Sequence, residues 1–315
     1  MKILITGSLG VVGQKLEAML LKNDHEVFGI DLYHTNRNYG HYPGKIFNDN
    51  YYRCDISNFR NLSNILQHYE PDIVYNCAAE FGRWNGEEYY DDVWKSNVIG
   101  TKNIIRLQEK MKFRLIHFSS SEVYGDYDSI MHENTINKTV ITQMNDYAIS
   151  KRVNEIQIAN SFKLYNTNTV IVRLFNTYGP GEWYHPFRSV NCVFTYKLLK
   201  NKPVTVFKGH TRTSTYIDDC INTLVQIPNN FKNQEIYNIA STTNHSIEEL
   251  VDLVLKYTGA DKNLVTYDKN HEILTTKHKL VNNDKAVDDL GFLETVDLEQ
   301  GVKNTVLWMK EYYNL

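Results

Sequence analysis

The run Lys2-Ile-Leu-Ile-Thr6, followed at once by Gly7-Ser-Leu-Gly10-Val-Val-Gly13, constrains this chain more than any other segment. An unbroken apolar run of this length reads as a strand buried on both faces, and Val11 to Lys22 behind it as a helix. The three glycines between them have separate uses. Gly7 permits a tight turn. Gly10 lets the backbone approach a pyrophosphate, and Gly13 lets helix and strand pack closely. The helix then points the positive end of its dipole at the phosphates. The spacing is GxxGxxG rather than the commoner GxGxxG. Leu9, Val11 and Val12 complete the expected contact set of the turn.

Asp31 ends the second strand, 18 residues past Gly13. A carboxylate there accepts hydrogen bonds from both hydroxyls of an adenosine ribose and repels a 2′-phosphate. The expected cofactor is therefore NAD rather than NADP, with nearby Arg37 as the one complication.

The same alternation continues. Strands are expected at Ile73 to Cys77, Leu115 to Ser119 and Thr169 to Phe175. Helices are expected at Asn61 to His68, Tyr89 to Lys110 and Asp146 to Phe162. Strands separated by helices imply right-handed βαβ units and a parallel sheet. After Gly179-Pro180 the strands shorten (Val204 to Phe207, Ile236 to Ile239) and turns become frequent. The expected architecture is α/β: a Rossmann-type doubly wound parallel sheet in residues 1–178, and a smaller C-terminal α+β substrate-binding part in 179–315, with segments free to cross between them. Ligands of such sheets sit at the carboxyl ends of the strands.

Composition narrows the partners. With 34 Lys plus Arg against 37 Asp plus Glu, nothing points to nucleic acid or an anionic membrane. The 4 cysteines (Cys54, Cys77, Cys192, Cys220) share no metal or disulfide spacing and suit a reducing, cytoplasmic setting. No apolar run approaches the roughly 20 residues of a membrane span. The 11 histidines form no ligand pattern, so no metal is expected, and His271, Glu272 and His278 read as surface residues.

Tyr147 and Lys151 stand four positions apart on a predicted helix and share a face. A phenol with an ordinary pKa near 10 is shifted toward phenolate by a nearby ammonium together with the positive nicotinamide of an oxidised cofactor. Such a tyrosine removes a hydroxyl proton while hydride leaves the same carbon. In a chain with 22 tyrosines the pair alone is a weak signal, and its place after the strand ending in Ser119 is what raises it.

Taken together, Thr6-Gly7-x-x-Gly10-x-x-Gly13, Asp31, Asn97, Ser119 and Tyr147-x-x-x-Lys151 resemble the extended short-chain dehydrogenase/reductase family, in particular its NAD-dependent nucleotide-sugar epimerases, dehydratases and decarboxylases. The resemblance covers nearly the whole chain. It implies that Asp55 and Ile56 contact adenine, and that Ala78 and Ala79 underlie the cofactor, with Asn97 and Ser119 also in the cofactor set. It places Glu80 and Asn176 (in Arg173-x-x-Asn176-x-Tyr178-Gly179-Pro180) at the substrate, and Arg212 on a sugar diphosphate. A second phosphate-binding arginine common in the family is absent from Thr275 to Lys279, where Lys277 or Lys279 stands in its place. Glu182 to Arg188 is either part of the nucleotide or sugar pocket, with Arg188 on the diphosphate, or a surface loop.

The family's shared first step is oxidation at C4 of the sugar. The step that follows depends on Ser119-Ser120-Ser121-Glu122. By resemblance Glu122 is the base at C5, Ser120 and Tyr147 assist at the C4 hydroxyl, and Ser121 positions a water or the leaving hydroxyl. Ala78-Ala79-Glu80 favours a hexose 4,6-dehydratase, while Ser121 replaces the usual acid and Phe81-Gly82-Arg83-Trp84 departs from the dehydratase pattern. UDP-glucuronate decarboxylase and a C4 or C5 epimerase are the alternatives. An NAD-binding sensor without activity is the alternative of another class, against which the intact Tyr147, Lys151 and Glu122 argue. The substrate partner is a nucleotide-diphosphate sugar. A homodimer is expected through Tyr89 to Lys110 and Asp146 to Phe162.

Overall fold

The computed structural model describes residues 1–33, 50–270 and 272–315, so Arg37 and His271 lie outside the described residues. Seven parallel strands form one sheet: β1 (Lys2–Thr6), β2 (Glu26–Asp31), β3 (Tyr51–Arg53), β4 (Ile73–Asn76), β5 (Arg114–Ser120), β6 (Thr169–Leu174) and β7 (Ile236–Ile239). Their spatial order is β7-β6-β5-β4-β1-β2-β3. The order reverses beside β1, and this switch point is where a doubly wound sheet opens a ligand crevice.

Helices cover both faces. On one side α1 (Val11–Lys22), α6 (Ile217–Leu224) and α8 (Asp284–Leu290) bury Leu16, Leu20, Ile221, Leu224 and Leu290 against Ile3, Ile5 and Tyr75. On the other, α2 (Phe59–Tyr69), α3 (Thr101–Met111) and α4 (Asp146–Tyr165) bury Leu62, Leu66, Ile104 and Ile158 against Leu4 and Val74. Strands enclosed this way have no solvent face, which accounts for their unbroken apolar sequences. Helix starts follow local chemistry: the Asn145 side chain accepts the Ala148 amide at 2.7 Å and opens α4.

The smaller part has its own core. In it α5 (Val190–Leu199), α7 (Ile247–Thr258) and α9 (Leu298–Tyr313) pack Phe194, Leu198, Val251, Val254 and Val306 around Val204 and Val206. One sequence expectation is corrected here. Ile236 to Ile239 is a strand of the large sheet, not of the smaller part, because its buried residues pair with Ile171 to Leu174 of β6. The chain thus returns to the sheet after 179. Several tyrosines are core residues, with Tyr75, Tyr124, Tyr178 and Tyr237 fully buried.

Between β4 and α3 the helix widens into a π turn at Trp94–Gly100. Such turns recur at functional sites. This one directs Asn97 inward, where its amide brackets the Glu80 backbone. Its oxygen accepts from Glu80 N at 2.9 Å, and its nitrogen donates to Glu80 O and to Ser150 Oγ, both at 3.0 Å.

Candidate active site

The glycine turn forms as its spacing predicts. Gly7 has φ +68°, and a Cβ there would come within 2.8 Å of the Ala78 backbone. Ala78 is held in that place by its amide, which donates to Thr6 Oγ1 at 3.0 Å. At Gly13 a Cβ would lie 2.3 Å from the Gly7 carbonyl oxygen. No side chain caps the first turn of α1 at Gly10, which leaves its amides available to an anion. Asp31 is buried and accepts the Leu9 amide at 3.0 Å, so the turn and the acid at the end of β2 are one unit. Further along, Asp55 pairs with Lys95 at 3.2 Å, and Ile56 packs where a side chain at Gly100 would stand. The cradle is empty of side chains where a pyrophosphate passes and carries an acid where a ribose ends, so these residues fit NAD. Gly13→Ala normally favours a helix interior by about 1 kcal/mol. Here the clash with Gly7 and Ser8 backbone reverses that sign, at about 1–3 kcal/mol. Chemical denaturation should show the loss, and titration with NAD should show roughly tenfold or weaker binding.

At the carboxyl end of β5 the structure brings Ser120, Glu122, Tyr147 and Lys151 together. Ser120 caps the next turn by accepting the Glu122 amide and hydrogen-bonds the Tyr147 phenol. Burial, followed by the Glu122 charge, pushes Tyr147 up to about 12 against that Ser120 bond. Lys151 lies 5.8 Å from the centre of the tyrosine ring, but its ammonium donates to the Phe118 carbonyl at 2.7 Å. Burial pulls Lys151 down to about 8. Ser119 turns away from these residues, and its hydroxyl donates to Glu155 Oε1 at 2.7 Å. Glu155 in turn forms a bidentate pair with Arg173. Ser121 is buried beside them.

Glu122 is not a free base. It forms an ion pair with Lys279, from the far end of the chain. Burial pushes the Glu122 carboxyl up, but Lys279, Arg83 and Arg212 outweigh it and hold it below the usual carboxylate range. A depressed pKa weakens a base. Lys279, expected in a phosphate-binding role, is committed to Glu122 instead, and burial brings it down to about 8. Arg212 is buried and braced by three acceptors: Thr211 O at 2.7 Å, Lys277 O at 3.2 Å and Thr275 Oγ1 at 3.4 Å. Burial and Arg83 lower it to about 10. Glu272 is corrected from a surface residue to the partner of Arg83, with 3.0 Å between Nη1 and Oε1. Sequence reasoning missed Arg83 and Glu272 as site residues. The signal for Arg83 was the departure at Phe81 to Trp84.

Glu80 lies apart from that cluster. Its carboxylate accepts Asn85 Nδ2 at 3.2 Å, and its charge acts on Asp31 at the cofactor side. Asn176 takes a left-handed φ of +37° just past β6. The Glu182 to Arg188 segment packs onto the loop after β4. Arg188 sits 4.1 Å from the Phe81 ring centre and 4.6 Å from that of Trp183, and a Cβ on Gly82 would meet Phe187 at 2.7 Å. Among the described residues no group of three or more His, Cys, Asp or Glu is placed to hold a metal, and no helix is long and apolar enough to cross a membrane.

Comparison with known proteins agrees with this geometry. The profile of the NAD dependent epimerase/dehydratase family matches residues 3–240. A putative UDP-glucose 4-epimerase of Methanocaldococcus jannaschii is 29% identical, over 98% of this chain and 98% of its own. A UDP-N-acetyl-alpha-D-glucosaminuronate decarboxylase of Bacillus cytotoxicus is 28% identical, over 99% of each. The solved UDP-glucuronic acid 4-epimerase of Bacillus cereus, in complex with UDP-glucuronic acid and NAD, superposes with a TM-score of 0.84 at 28% identity, covering 99% of this chain and 100% of that one. The chain belongs to the NAD dependent epimerase/dehydratase family, whose cofactor is NAD.

Proposed function

We propose that this chain oxidises C4 of a nucleoside-diphosphate sugar bearing a carboxylate on C5, a hexuronic acid, and that the resulting 4-keto acid loses carbon dioxide. The observation that carries this reading is the charge around Glu122. Three cations, Arg83, Arg212 and Lys279, act on it within a buried site. Arg212 is expected on the diphosphate that any nucleotide sugar carries and Lys279 is paired with Glu122, which leaves Arg83 as the cation for which a neutral C6 hydroxymethyl has no use and a C6 carboxylate does.

NAD, when bound on the Gly7 to Gly13 cradle, supplies a reversible acceptor for the C4 hydride. Tyr147, as the phenolate that the Lys151 ammonium and the positive nicotinamide would favour, takes the proton of the C4 hydroxyl, with Ser120 beside it. The C5–carboxyl bond then breaks, and its electron pair moves into the C4 carbonyl. The cations stabilise the negative charge that develops. C5 takes a proton from solvent, and Tyr147 returns its proton to O4 as the hydride comes back. The net change is the loss of carbon dioxide, with no cofactor consumed.

The 4,6-dehydratase expected from sequence is the second reading, favoured by the contiguity of Glu122 and Tyr147. It fits less well, because Ser121 supplies no strong acid to expel a hydroxyl and the Lys279 pair weakens Glu122 as a base. Curated relatives include epimerases, decarboxylases and a dehydratase. Incubation with NAD and a panel of nucleotide sugars, followed by mass spectrometry, tests the reading. Loss of carbon dioxide from a uronic acid supports it. Loss of water from a hexose selects the dehydratase, and unchanged mass with altered configuration selects a 4-epimerase. Glu122→Gln removes the anion that keeps the cations in register. It should lower kcat by roughly tenfold or more, and turnover at the parent rate would remove Glu122 from the mechanism.

A further inference from the structure

The three cations near Glu122 are not equally available. Arg212 is braced by two backbone carbonyls and a threonine hydroxyl, and Lys279 is neutralised by Glu122. Arg83 differs from both. It opens the short helix Arg83–Glu88, directly after Gly82, whose φ of +98° and contact with Phe187 fix the backbone. Asn85 ties the same turn to Glu80 and to the Phe81 carbonyl. The Cα of Arg83 is thus held while its side chain reaches over to the 272–279 segment.

Its contact there is with Glu272, at 3.0 Å, and the buried Nη1 makes no aligned hydrogen bond in it. A guanidinium has five N–H donors in a planar fork. An ion pair of this geometry leaves most of that fork uncommitted. The charge of Arg83 also acts on Glu122, Arg212 and Lys279 together, so it faces the same space as they do. Among the described residues three cations there meet two carboxylates, Glu122 and Glu272, an excess of one positive charge.

We infer that Arg83 is the specificity-determining residue for the sugar's carboxylate: it exchanges Glu272 for the substrate and grips the C6 carboxylate with its fork. The inference rests on the uronic-acid reading above. Arg–carboxylate forks add geometric selection to charge, and a lysine does not reproduce it. Glu272 acts as a stand-in anion that keeps Arg83 folded over the site and competes with the incoming carboxylate.

The opposing possibility is that Arg83 and Glu272 simply strap two segments together. The two accounts predict opposite behaviour for the two partners. Binding of UDP-glucuronic acid and of UDP-glucose to the NAD-loaded protein would be measured by calorimetry, with UDP alone as a check on the folded nucleotide site. Arg83→Gln should reduce the preference for the uronic acid over glucose by roughly 10- to 100-fold. Arg83→Lys should restore only part of it. Glu272→Gln should tighten UDP-glucuronic acid severalfold, because its competitor is gone. If Arg83→Gln and Glu272→Gln weaken both sugars alike, the pair is a strap and the inference fails. If the wild-type protein does not prefer the uronic acid at all, the uronic-acid reading fails and takes this inference with it. If the wild type prefers it and Arg83→Gln prefers it equally, only the role of Arg83 is overturned.

Discussion

Tyr147→Phe is expected to keep the fold and bind NAD as the parent does, yet lose about three orders of magnitude in kcat. General acid–base groups contribute on the order of 10²–10⁴-fold, and this phenol is the group proposed to move the proton of the sugar hydroxyl. Removing its oxygen leaves no cavity of consequence, since the ring remains, and leaves Ser120 still capping the Glu122 amide at 3.2 Å. Stability should therefore change little. Single-turnover measurement of cofactor reduction, read at the nicotinamide absorbance, isolates the step. A fall in kcat of less than about tenfold would mean that another group moves that proton.

Arg173→Met should produce the largest loss of stability, about 3–5 kcal/mol. Arg173 is 1% exposed and Glu155 3% exposed, and they meet through two bonds, Nε to Oε1 at 2.9 Å and Nη2 to Oε2 at 2.8 Å. Arg173 also donates to the Tyr124 hydroxyl at 2.8 Å, which donates to Asn238 at 2.7 Å. The set joins the turn after β5, α4, β6 and β7 behind the candidate site. Without the guanidinium, the buried carboxylate keeps only the Ser119 hydroxyl and the partly exposed Arg152, 3.2 Å from its Oε2. Urea denaturation measures the cost, and the double variant Arg173→Met/Glu155→Gln should recover part of it. The pH dependence should invert as well. In the parent, burial pushes Glu155 up but Arg173 and Ser119 hold it below the ordinary value, so its contribution is present above the unfolded pKa and is lost as pH falls. In the variant only Ser119 and Arg152 oppose burial, so the folded pKa should rise above the unfolded one, and the deficit should shrink as pH falls toward 5. A deficit that stays constant between pH 7 and 5 would show that the buried acid is not its source.

Local spacing carried the cofactor half of this protein. Gly7, Gly10 and Gly13 are set by turn geometry within seven residues, Asp31 by the end of a strand, and Tyr147 with Lys151 by one turn of helix. Each is a short-range relation that sequence distance reports directly, and the structure realises all three arrangements. What spacing does not report is the burial of both groups and the Phe118 carbonyl to which Lys151 donates, which are tertiary facts.

The sugar half was decided by the fold alone. Glu122 and Lys279 are 157 residues apart, and their pairing arises from how the 272–279 segment lies over the end of β5. Ser119, a cofactor residue by resemblance, donates its hydroxyl to Glu155, one turn along α4 from Lys151, a partner that no spacing announces. Ile236 to Ile239 looks like part of the smaller domain but closes the large sheet. By itself the sequence determined the class of fold, the glycine cradle and the one-turn spacing of Tyr147 and Lys151, because these depend on residues that are neighbours along the chain. Only the tertiary structure decided which charges surround Glu122, because electrostatic environment depends on distance through space and on exclusion of water, and neither is written in spacing.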